Sequence, residues 1–325
     1  MPTVSTAAGQ CGRRWSAFAS WQPCPEATLI AHECPRDVYK RQLYDRTDGK
    51  DGYVSLEVNP HLAHDTNGTI EEARRLWAAL GRPNVLIKVP ATTNGLPAIQ
   101  QLISEGISVN VTLLFGLPRY RQVAEAYIAG LEARAAQGQP LKHLASVASF
   151  FVSRIDALVD PMLEKLIAPG CKESDLARKA HGQIAVASAK MAYQIYKEIF
   201  AGDRFRKLAA KGARVQRLLW ASTSTKNPDY SDVKYVEALI GPDTVDTAPL
   251  ETLDAYRDHG EPKARLEHDV KEAHWLLEQL PELGIGIDDV TRQLGDEGVE
   301  KFIKPFDKLM ETVAQRSARH LTRQA

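Results

Sequence analysis

From residue 53 onward, short apolar runs alternate with longer stretches that repeat apolar residues at helical spacing. Six such runs span residues 53–58, 84–89, 107–114, 143–150, 215–222 and 243–248. They are rich in β-branched residues and mostly lack strict polar alternation, which is typical of strands buried on both faces. A helix is predicted over residues 69–81, with Thr69 as its N-cap and Gly81 at its end. The pattern predicts an α/β fold of parallel strands joined by helices.

Both a barrel and a doubly wound sheet have this pattern. No G-x-G-x-x-G follows the first run, and no G-x-x-x-x-G-K-[ST] occurs in the chain, which weakens a nucleotide-binding interpretation. Polar residues recur within or near the ends of several runs, namely Glu57, Lys88, Asn110, Thr112, Ser149 and Ser222. A TIM (β/α)8 barrel gathers such residues into one site, so we predict a barrel. Because the pattern supplies six strands where a barrel has eight, we expect the first two to be lacking.

The first 42 residues do not show this alternation of apolar runs and helical patterns. Residues 37–42 spell DVYKRQ, which is one reading frame of the transposon mosaic-end DNA used in preparing sequencing libraries. We therefore interpret residues 1–42 as a non-native, disordered segment and residues 43–325 as an incomplete barrel domain. A natural variable extension is the alternative, and resequencing the locus from unamplified DNA would distinguish the two.

The amino-acid composition limits the kinds of molecule that the protein is expected to bind and the compartment in which it is expected to lie. Lysine plus arginine and aspartate plus glutamate both number 41, so electrostatics gives no reason to expect nucleic acid or an anionic membrane surface. No apolar run approaches the roughly 18 residues of a membrane span, and the N-terminus does not have the form of a secretory signal. The four cysteines lack the spacing of a metal site or a disulfide framework, so we expect a cytoplasmic protein. The sequence does not indicate an oligomeric state.

Lys88 lies in the middle of the apolar run NVLIKVPAT, where its ammonium group needs water or a partner. Withdrawal of a lysine from water favours the neutral amine, which is its nucleophilic form. Glu57 lies one predicted strand earlier, where it could pair with this lysine or relay protons. The plain alternatives are a lysine that extends its amine into solvent and a purely structural salt bridge.

Asn110 and Thr112 fall near the end of the third predicted strand. They are two residues apart, so they share one face of the strand. Their amide and hydroxyl groups suit sugar hydroxyls or the oxygen of a carbinolamine. The alternative is a pair of polar residues that cap the end of the strand.

Ser149 and Arg154 lie where the fourth predicted strand gives way to the next element. A guanidinium with a hydroxyl beside it is a common phosphate clamp. Ser222 and Lys226 occupy the end of the following strand. The alternative for Arg154 is a surface contact with Asp156.

Two other groups of residues have structural interpretations. His61 and His64 lack the spacing and the third ligand of a typical zinc site, so no metal site is predicted. Trp275, Phe302 and Phe306 are interpreted as helix-packing residues.

Long, ordered blocks of the sequence resemble the transaldolase family in its longer bacterial form. The blocks are DGYVSLEVNPHLAHDT, NVLIKVPATTNGLPAI, GISVNVTLLF, ASVASFFVSRID and LLWASTSTKNPDYSDVKYVEALIGPDTVDTAPLETLDAY. The resemblance covers about residues 43–316 and implies a (β/α)8 barrel of the class I aldolase type. It also implies transfer of a dihydroxyacetone unit from sedoheptulose 7-phosphate or fructose 6-phosphate to an aldose phosphate, in the pentose phosphate pathway. Neither a metal nor an organic cofactor is implied.

The resemblance assigns catalytic roles to four residues. Lys88 corresponds to the lysine that forms a Schiff base with the donor ketose. Glu57 corresponds to the acid that shuttles protons through a water during imine formation. Asn110 and Thr112 correspond to the residues that hold the substrate hydroxyl and that water.

The resemblance also assigns a phosphate-binding group. Ser149 and Arg154 correspond to the serine and arginine that bind the substrate phosphate, with Phe151 as the aromatic residue between them. Ser222 and Lys226 correspond to a second segment on the phosphate side, where the family often has an arginine near the position of Lys226.

One family feature has no counterpart in this sequence. The family's first strand carries an aspartate that acts as the base for the C4 hydroxyl, and we assign that role to no residue. We therefore expect the chain as written to fold poorly and to transfer little. Two alternatives are a simple class I aldolase that releases dihydroxyacetone and an inactive, truncated fragment that binds sugar phosphates.

Overall fold

A computed structural model describes residues 35–167 and 173–324, with side chains described between residues 40 and 315 of those ranges. In this part of the chain, six parallel strands pair in the order in which they occur in the sequence. They are β1 (Val54–Glu57), β2 (Val85–Pro90), β3 (Val109–Leu114), β4 (Ser146–Phe151), β5 (Arg217–Ala221) and β6 (Thr244–Asp246). The six predicted strands are therefore confirmed.

Helices connect these strands and continue beyond the last of them. They are α1 (Pro35–Arg46), α2 (Thr66–Leu80), α3 (Gly95–Glu105), α4 (Leu117–Ala136), α5 (Ser153–Glu164), α6 (Ser174–Ala180), α7 (Ile184–Phe200), α8 (Asp203–Ala209), α9 (Lys234–Ala238), α10 (Leu250–His259), α11 (Val270–Gln279) and α12 (Ile287–Gln324). Short 3-10 helices lie at Pro60–Leu62 and Leu280–Leu283. Within the two described ranges, no helix combines the length and apolar character needed to cross a bilayer.

The strand register brings polar residues onto one face of the sheet. Glu57 lies opposite Lys88, and Lys88 lies opposite Asn110. Because side chains alternate along a strand, Ser149 shares the face of Val147, the register partner of Asn110. An ordered parallel sheet with a polar inner face at its carboxyl ends has the architecture of a TIM-type α/β barrel. In the described residues the sheet is open between β6 and β1.

The other face of the strands forms the core beneath the helices. Ile87 lies opposite Val109, and Ala148 lies opposite Leu218, and all four side chains are fully buried. Apolar residues therefore continue on the face where a soluble antiparallel sheet would show polar ones, which explains the weak alternation in the sequence. Lys88 is the exception in the β2 run, because it is the one charged residue of the strand and the one that is only partly buried.

Helix α2 begins earlier than predicted. The Asp65 carboxylate accepts a hydrogen bond from the Gly68 backbone N–H at 3.0 Å and caps the helix. The prediction of Thr69 as N-cap is therefore wrong, and its buried hydroxyl donates instead to the Leu62 carbonyl at 2.9 Å. The predicted end is confirmed, since Gly81 adopts the left-handed conformation with φ of +54°.

Helix α1 crosses Leu43, the predicted boundary of the barrel domain. Just after this boundary, Tyr44 is buried, and its ring packs edge-on against the Tyr53 ring with the centroids 5.3 Å apart. Residues 1–34 lie outside the described residues, so the interpretation of residues 1–42 as a non-native segment stays a prediction.

Helices α3 and α4 approach closely at Gly130. A Cβ at this position would lie 2.7 Å from both the Gln100 carbonyl oxygen and Ile103 Cβ. We expect Gly130→Ala to lower the free energy of unfolding by about 1–3 kcal/mol, because overpacking outweighs the gain in helix propensity. In the control Gly295→Ala nothing lies within 4 Å of the new Cβ, so stability should rise by about 1 kcal/mol. Urea denaturation measures both, and equal changes would contradict the close approach.

Candidate active site

Lys88 and Glu57 form the centre of the candidate site. They lie opposite each other on adjacent strands, and the Lys88 amine donates a hydrogen bond to Glu57 Oε1 within an ion pair. The Lys88 side chain is 21% exposed and that of Glu57 is 43% exposed, so the lysine is largely withdrawn from water while the carboxylate remains accessible. The lysine is thus held by a carboxylate and does not extend freely into solvent. A carboxylate beside an amine can exchange protons with it and with a bound molecule.

Asn110 links three strands across the inner face. Its Nδ2 donates to Ser55 Oγ at 2.9 Å, and Ser149 Oγ donates to its Oδ1 at 2.6 Å. Asn110 and Ser149 are both buried. The amide is therefore held in one orientation beside the Lys88 strand. Ser55 was not identified from the sequence, although its position two residues before Glu57 places it on the same face.

The β3 strand is irregular where Thr112 lies. Its register with β4 shifts between Val111 and Leu114, and Leu113 has φ of +55°. Irregularities of this kind redirect side chains and occur often beside active sites. Among the described residues, the buried Thr112 hydroxyl has no hydrogen-bond partner. Because a buried hydroxyl is normally paired, this group is suited to hydrogen-bond a bound molecule.

Strands β4 and β5 continue to pair beyond their ends. The Val152 N–H donates to the Ala221 carbonyl at 2.9 Å, and the Ser153 N–H donates to the Ser222 carbonyl at 3.1 Å. The two serine hydroxyls are also 3.1 Å apart. Arg154 follows Ser153 directly in the first turn of α5. The structure therefore brings Ser222 against Ser153, the residue next to Arg154, although the two serines are far apart in the sequence.

Arg154 is not tied to its neighbour Asp156. Asp156 is 1% exposed and directs its hydrogen bonds to other elements, so the alternative of a surface contact between the two is wrong. The pKa of Glu297 on α12 is lowered mainly by its hydrogen bond from Lys301, and the charge of Arg154 adds to this effect. Arg154 is therefore within electrostatic range of Glu297, and α5 and α12 are in contact.

Phe151 and Lys226 occupy different surroundings. The Phe151 ring is buried against Phe115, with centroids 5.2 Å apart. Lys226 is exposed, and its amine donates to Ser224 Oγ at 2.7 Å within its own loop. Phe151 therefore lines the inner face near Ser149, whereas Lys226 lies at the outer end of the segment after β5.

Helix α12 passes over the carboxyl ends of the strands, where it contacts the Pro60–Leu62 turn, β3 and α5. The centroid of the Phe302 ring lies 5.6 Å from Lys88 Nζ. Asp307, further along the helix, lies 2.7 Å from His61 Nε2. The interpretation of Phe302 as a helix-packing residue is therefore incomplete, because its ring also covers the candidate nucleophile. An aromatic face beside a cationic amine is favourable and limits the approach of water.

A cavity of about 340 Å³ lies between α12 and the loops after β2 and β3. Its lining includes Thr92, Asn94, Phe115, Arg119 and Thr291. This volume is in the range of small-molecule sites. Neither Lys88 nor Glu57 is part of the lining, so the cavity does not contain the ion pair.

The two histidines after β1 have separate surroundings. His61 pairs with Asp307, and His64 borders the cavity beside α12. In the part of the chain with described side chains, no three His, Cys, Asp or Glu residues lie together in a way that could hold a metal ion.

The family model described as Transaldolase/Fructose-6-phosphate aldolase matches residues 27–313. The match covers all six strands and most of α12. It begins within residues 1–42, and residues 27–34 of it lie outside the described residues. The boundary near Leu43 therefore stays a prediction.

Curated relatives agree with the family match. Transaldolase 2 of Nostoc sp. is 51% identical over 278 residues, which is 84% of this chain and 73% of that protein. The transaldolase of Trichodesmium erythraeum is 50% identical over 278 residues, with the same two shares. That of Mycolicibacterium smegmatis is 50% identical over 269 residues, 82% of this chain and 71% of that protein. The chain belongs to the transaldolase/fructose-6-phosphate aldolase family.

Proposed function

We propose that the chain is a transaldolase, which transfers a dihydroxyacetone unit between sugar phosphates through a Schiff base at Lys88. The observation that carries this proposal is the Lys88–Glu57 ion pair at the carboxyl end of the parallel sheet. The family and the names of the relatives support the reaction type. An amine nucleophile with an adjacent carboxylate supplies the two groups that imine formation requires.

The reaction begins when the neutral Lys88 amine attacks the C2 carbonyl of fructose 6-phosphate or sedoheptulose 7-phosphate. The carbonyl oxygen takes up a proton to give a carbinolamine, and loss of water leaves a protonated imine. The imine withdraws electrons while a base removes the proton of the C4 hydroxyl, so the C3–C4 bond breaks and an aldose phosphate leaves. The remaining three carbons stay on Lys88 as an enamine. This enamine attacks the aldehyde of a second aldose phosphate, and hydrolysis of the new imine releases the product.

Glu57 acts as the proton shuttle for imine formation. Its ion pair with Lys88 lets it take the amine proton, and it then protonates the departing carbinolamine hydroxyl through a water. The Thr112 hydroxyl, which has no partner among the described residues, holds that water. Asn110, whose amide is fixed by hydrogen bonds, orients a substrate hydroxyl. The base for the C4 hydroxyl is assigned to no residue.

Arg154 and Ser222 bind the phosphate of the substrate. We assign both to the phosphate because Ser153, the residue before Arg154, lies against Ser222 at the ends of β4 and β5, and a guanidinium together with a hydroxyl suits a phosphate dianion. Ser149 adds a second hydroxyl on the inner face, Phe151 is the aromatic residue between Ser149 and Arg154, and Lys226 adds positive charge at the outer edge. We call Arg154, Ser222 and Lys226 the phosphate clamp.

Transfer requires that the enamine survive until an acceptor binds. Water must therefore be kept from the bound intermediate. The Phe302 ring over Lys88 supports this role for α12. Sugar phosphates are the substrates and the pentose phosphate pathway is the setting that the family implies. A cytoplasmic location and the exclusion of nucleic acid as partner stay predictions from cysteine usage and neutral charge.

Dependence on an acceptor distinguishes transfer from simple aldol cleavage. With fructose 6-phosphate and erythrose 4-phosphate together, we expect continued formation of sedoheptulose 7-phosphate and glyceraldehyde 3-phosphate, at the low rate of a chain in which no residue is assigned as the base for the C4 hydroxyl. Without the acceptor, release of glyceraldehyde 3-phosphate should stop after a single turnover, because the dihydroxyacetone unit stays on Lys88. Mass spectrometry of the products measures both. Continuous release of free dihydroxyacetone would identify a simple class I aldolase, and no consumption under either condition would identify an inactive fragment.

A further inference from the structure

Two buried carboxylates follow Arg154 on α5. Asp156 and Asp160 are 1% and 5% exposed, and they lie one helical turn apart on the inner side of the helix. Burial of two like charges is costly unless both are paired and hydrogen-bonded. Burial and the nearby Asp160 raise the pKa of Asp156. Packing alone therefore does not account for two buried carboxylates at this place, and their partners indicate what they do.

The partners of these carboxylates come from two other segments. The Ala185 backbone N–H, at the start of α7, donates to Asp156 at 2.7 Å, and the Gly182 backbone N–H, in the turn just before α7, donates to Asp160 at 2.8 Å. The Tyr230 hydroxyl donates to Asp160 at 2.7 Å. The loop after β5 and the beginning of α7 are thereby joined to α5.

Lys234 and Tyr235, at the start of α9, complete the group. The Tyr235 hydroxyl donates to Asp156 Oδ2 at 2.9 Å. The Lys234 amine lies 3.5 Å from the same oxygen and 3.4 Å from the centroid of the Tyr230 ring. Gly182 leaves room for this packing, since a Cβ there would lie 2.6 Å from the Tyr230 hydroxyl and 2.9 Å from the Lys234 amine.

This network connects the two halves of the phosphate clamp. Arg154 lies on the same helix as the two carboxylates, just before Asp156. Ser222 and Lys226 belong to the segment between β5 and Tyr230, which the network holds at its far end. The near end is held by the Ser153–Ser222 contact. The segment is therefore attached to α5 at Ser222 and again at Tyr230, with Lys226 between the two contacts.

We propose that Asp156, Asp160, Tyr230 and Lys234 are positioning residues that set the separation of Arg154 from Ser222 and Lys226, and thereby the preference for phosphorylated substrates. The proposal rests on the proposed function, because it assumes that the clamp binds the substrate phosphate. None of these four residues needs to touch the substrate. A purely structural network would alter stability without altering the preference for phosphate over a free hydroxyl.

The test compares Tyr230→Phe with the unaltered chain. The readout is the concentration of sugar that gives half-maximal borohydride-trapped adduct at Lys88, measured for fructose 6-phosphate and for fructose. We expect this concentration to rise about tenfold for fructose 6-phosphate, the effect of losing roughly one well-placed interaction with a charge, and to change less than about twofold for fructose. Equal changes for both sugars, or no change for either, would overturn the proposal.

Tyr127→Phe is the matched control. The Tyr127 hydroxyl is also hydrogen-bonded, to the Arg214 carbonyl at 2.7 Å, but it lies away from the clamp. This variant should lose stability without altering the ratio of the two half-maximal concentrations. Should Tyr230→Phe fail to fold, Asp160→Asn replaces it, since it removes the charge with little change in shape. We expect the same result: a rise of about tenfold in the half-maximal concentration of fructose 6-phosphate and less than about twofold for fructose.

Binding of inorganic phosphate separates this proposal from the proposed function. Calorimetry measures it without any need for Lys88 to react. Weaker phosphate binding in Tyr230→Phe, together with an absent adduct in the unaltered chain, would retain the positioning role and reject the Schiff base. A normal adduct in the unaltered chain, together with unchanged phosphate affinity in Tyr230→Phe, would retain the Schiff base and reject the positioning role.

Discussion

Replacement of Lys88 by methionine abolishes transfer, with turnover lowered by at least about 10⁴-fold, or ~5 kcal/mol of lost transition-state stabilisation. Methionine keeps most of the apolar length of the side chain but has no amine to form the imine. We expect no adduct after borohydride treatment with fructose 6-phosphate, measured by the mass of the intact chain and of the peptide that contains residue 88. The unaltered chain should gain the mass of one reduced sugar at Lys88.

Lys190→Met is the matched control for this substitution. Lys190 is also mostly buried, and its amine donates to the His268 carbonyl at 2.7 Å, away from the candidate site. This variant should keep the adduct at Lys88. An adduct of normal yield on another lysine in the Lys88→Met chain would contradict the assignment of the nucleophile.

Replacement of Glu57 by glutamine slows turnover by about 10²–10⁴-fold, the usual range for loss of a general acid–base group. Glutamine keeps the shape of the side chain but cannot take the proton of the Lys88 amine or return it to the carbinolamine. The lysine itself remains, so the trapped adduct should reach its full yield after a long incubation while its rate of formation falls. Quenched-flow borohydride trapping measures that rate.

The alternative for Glu57 is a structural salt bridge. In that case the glutamine variant would lose stability to urea while the adduct formed at its normal rate. Glu105→Gln provides the comparison, since Glu105 pairs with Arg74 on the outer helices and has no contact with Lys88. Only a slower rate that is specific to Glu57→Gln supports the proton shuttle.

The strands could be predicted because their signal is local. A strand buried on both faces needs apolar residues at nearly every position, so runs such as NVLIKV stand out without knowledge of their neighbours. Lys88 interrupts such a run, and this local conflict identified the candidate nucleophile. The proximity of Glu57 followed from the parallel order of neighbouring strands.

Helix limits were harder to predict because several residues compete to cap one helix. Thr69 and Asp65 are both residue types that cap helices. Asp65 is the N-cap in the structure, whereas Thr69 is buried inside the helix and donates its hydroxyl hydrogen to the Leu62 carbonyl. The sequence shows only that a capping residue is near. Contact with the preceding turn decides which one is used.

By itself, the sequence determined the six parallel strands, the lysine in the second of them, and the set of polar residues at the strand ends. The tertiary structure alone decided that Phe302 lies over Lys88, that Ser55 holds Asn110, and that Asp156 turns inward to Tyr235 instead of pairing with Arg154. The physical reason is the range of the interactions. Hydrophobic patterning acts over a few neighbouring residues, whereas these contacts join residues far apart in the chain and depend on where whole helices pack.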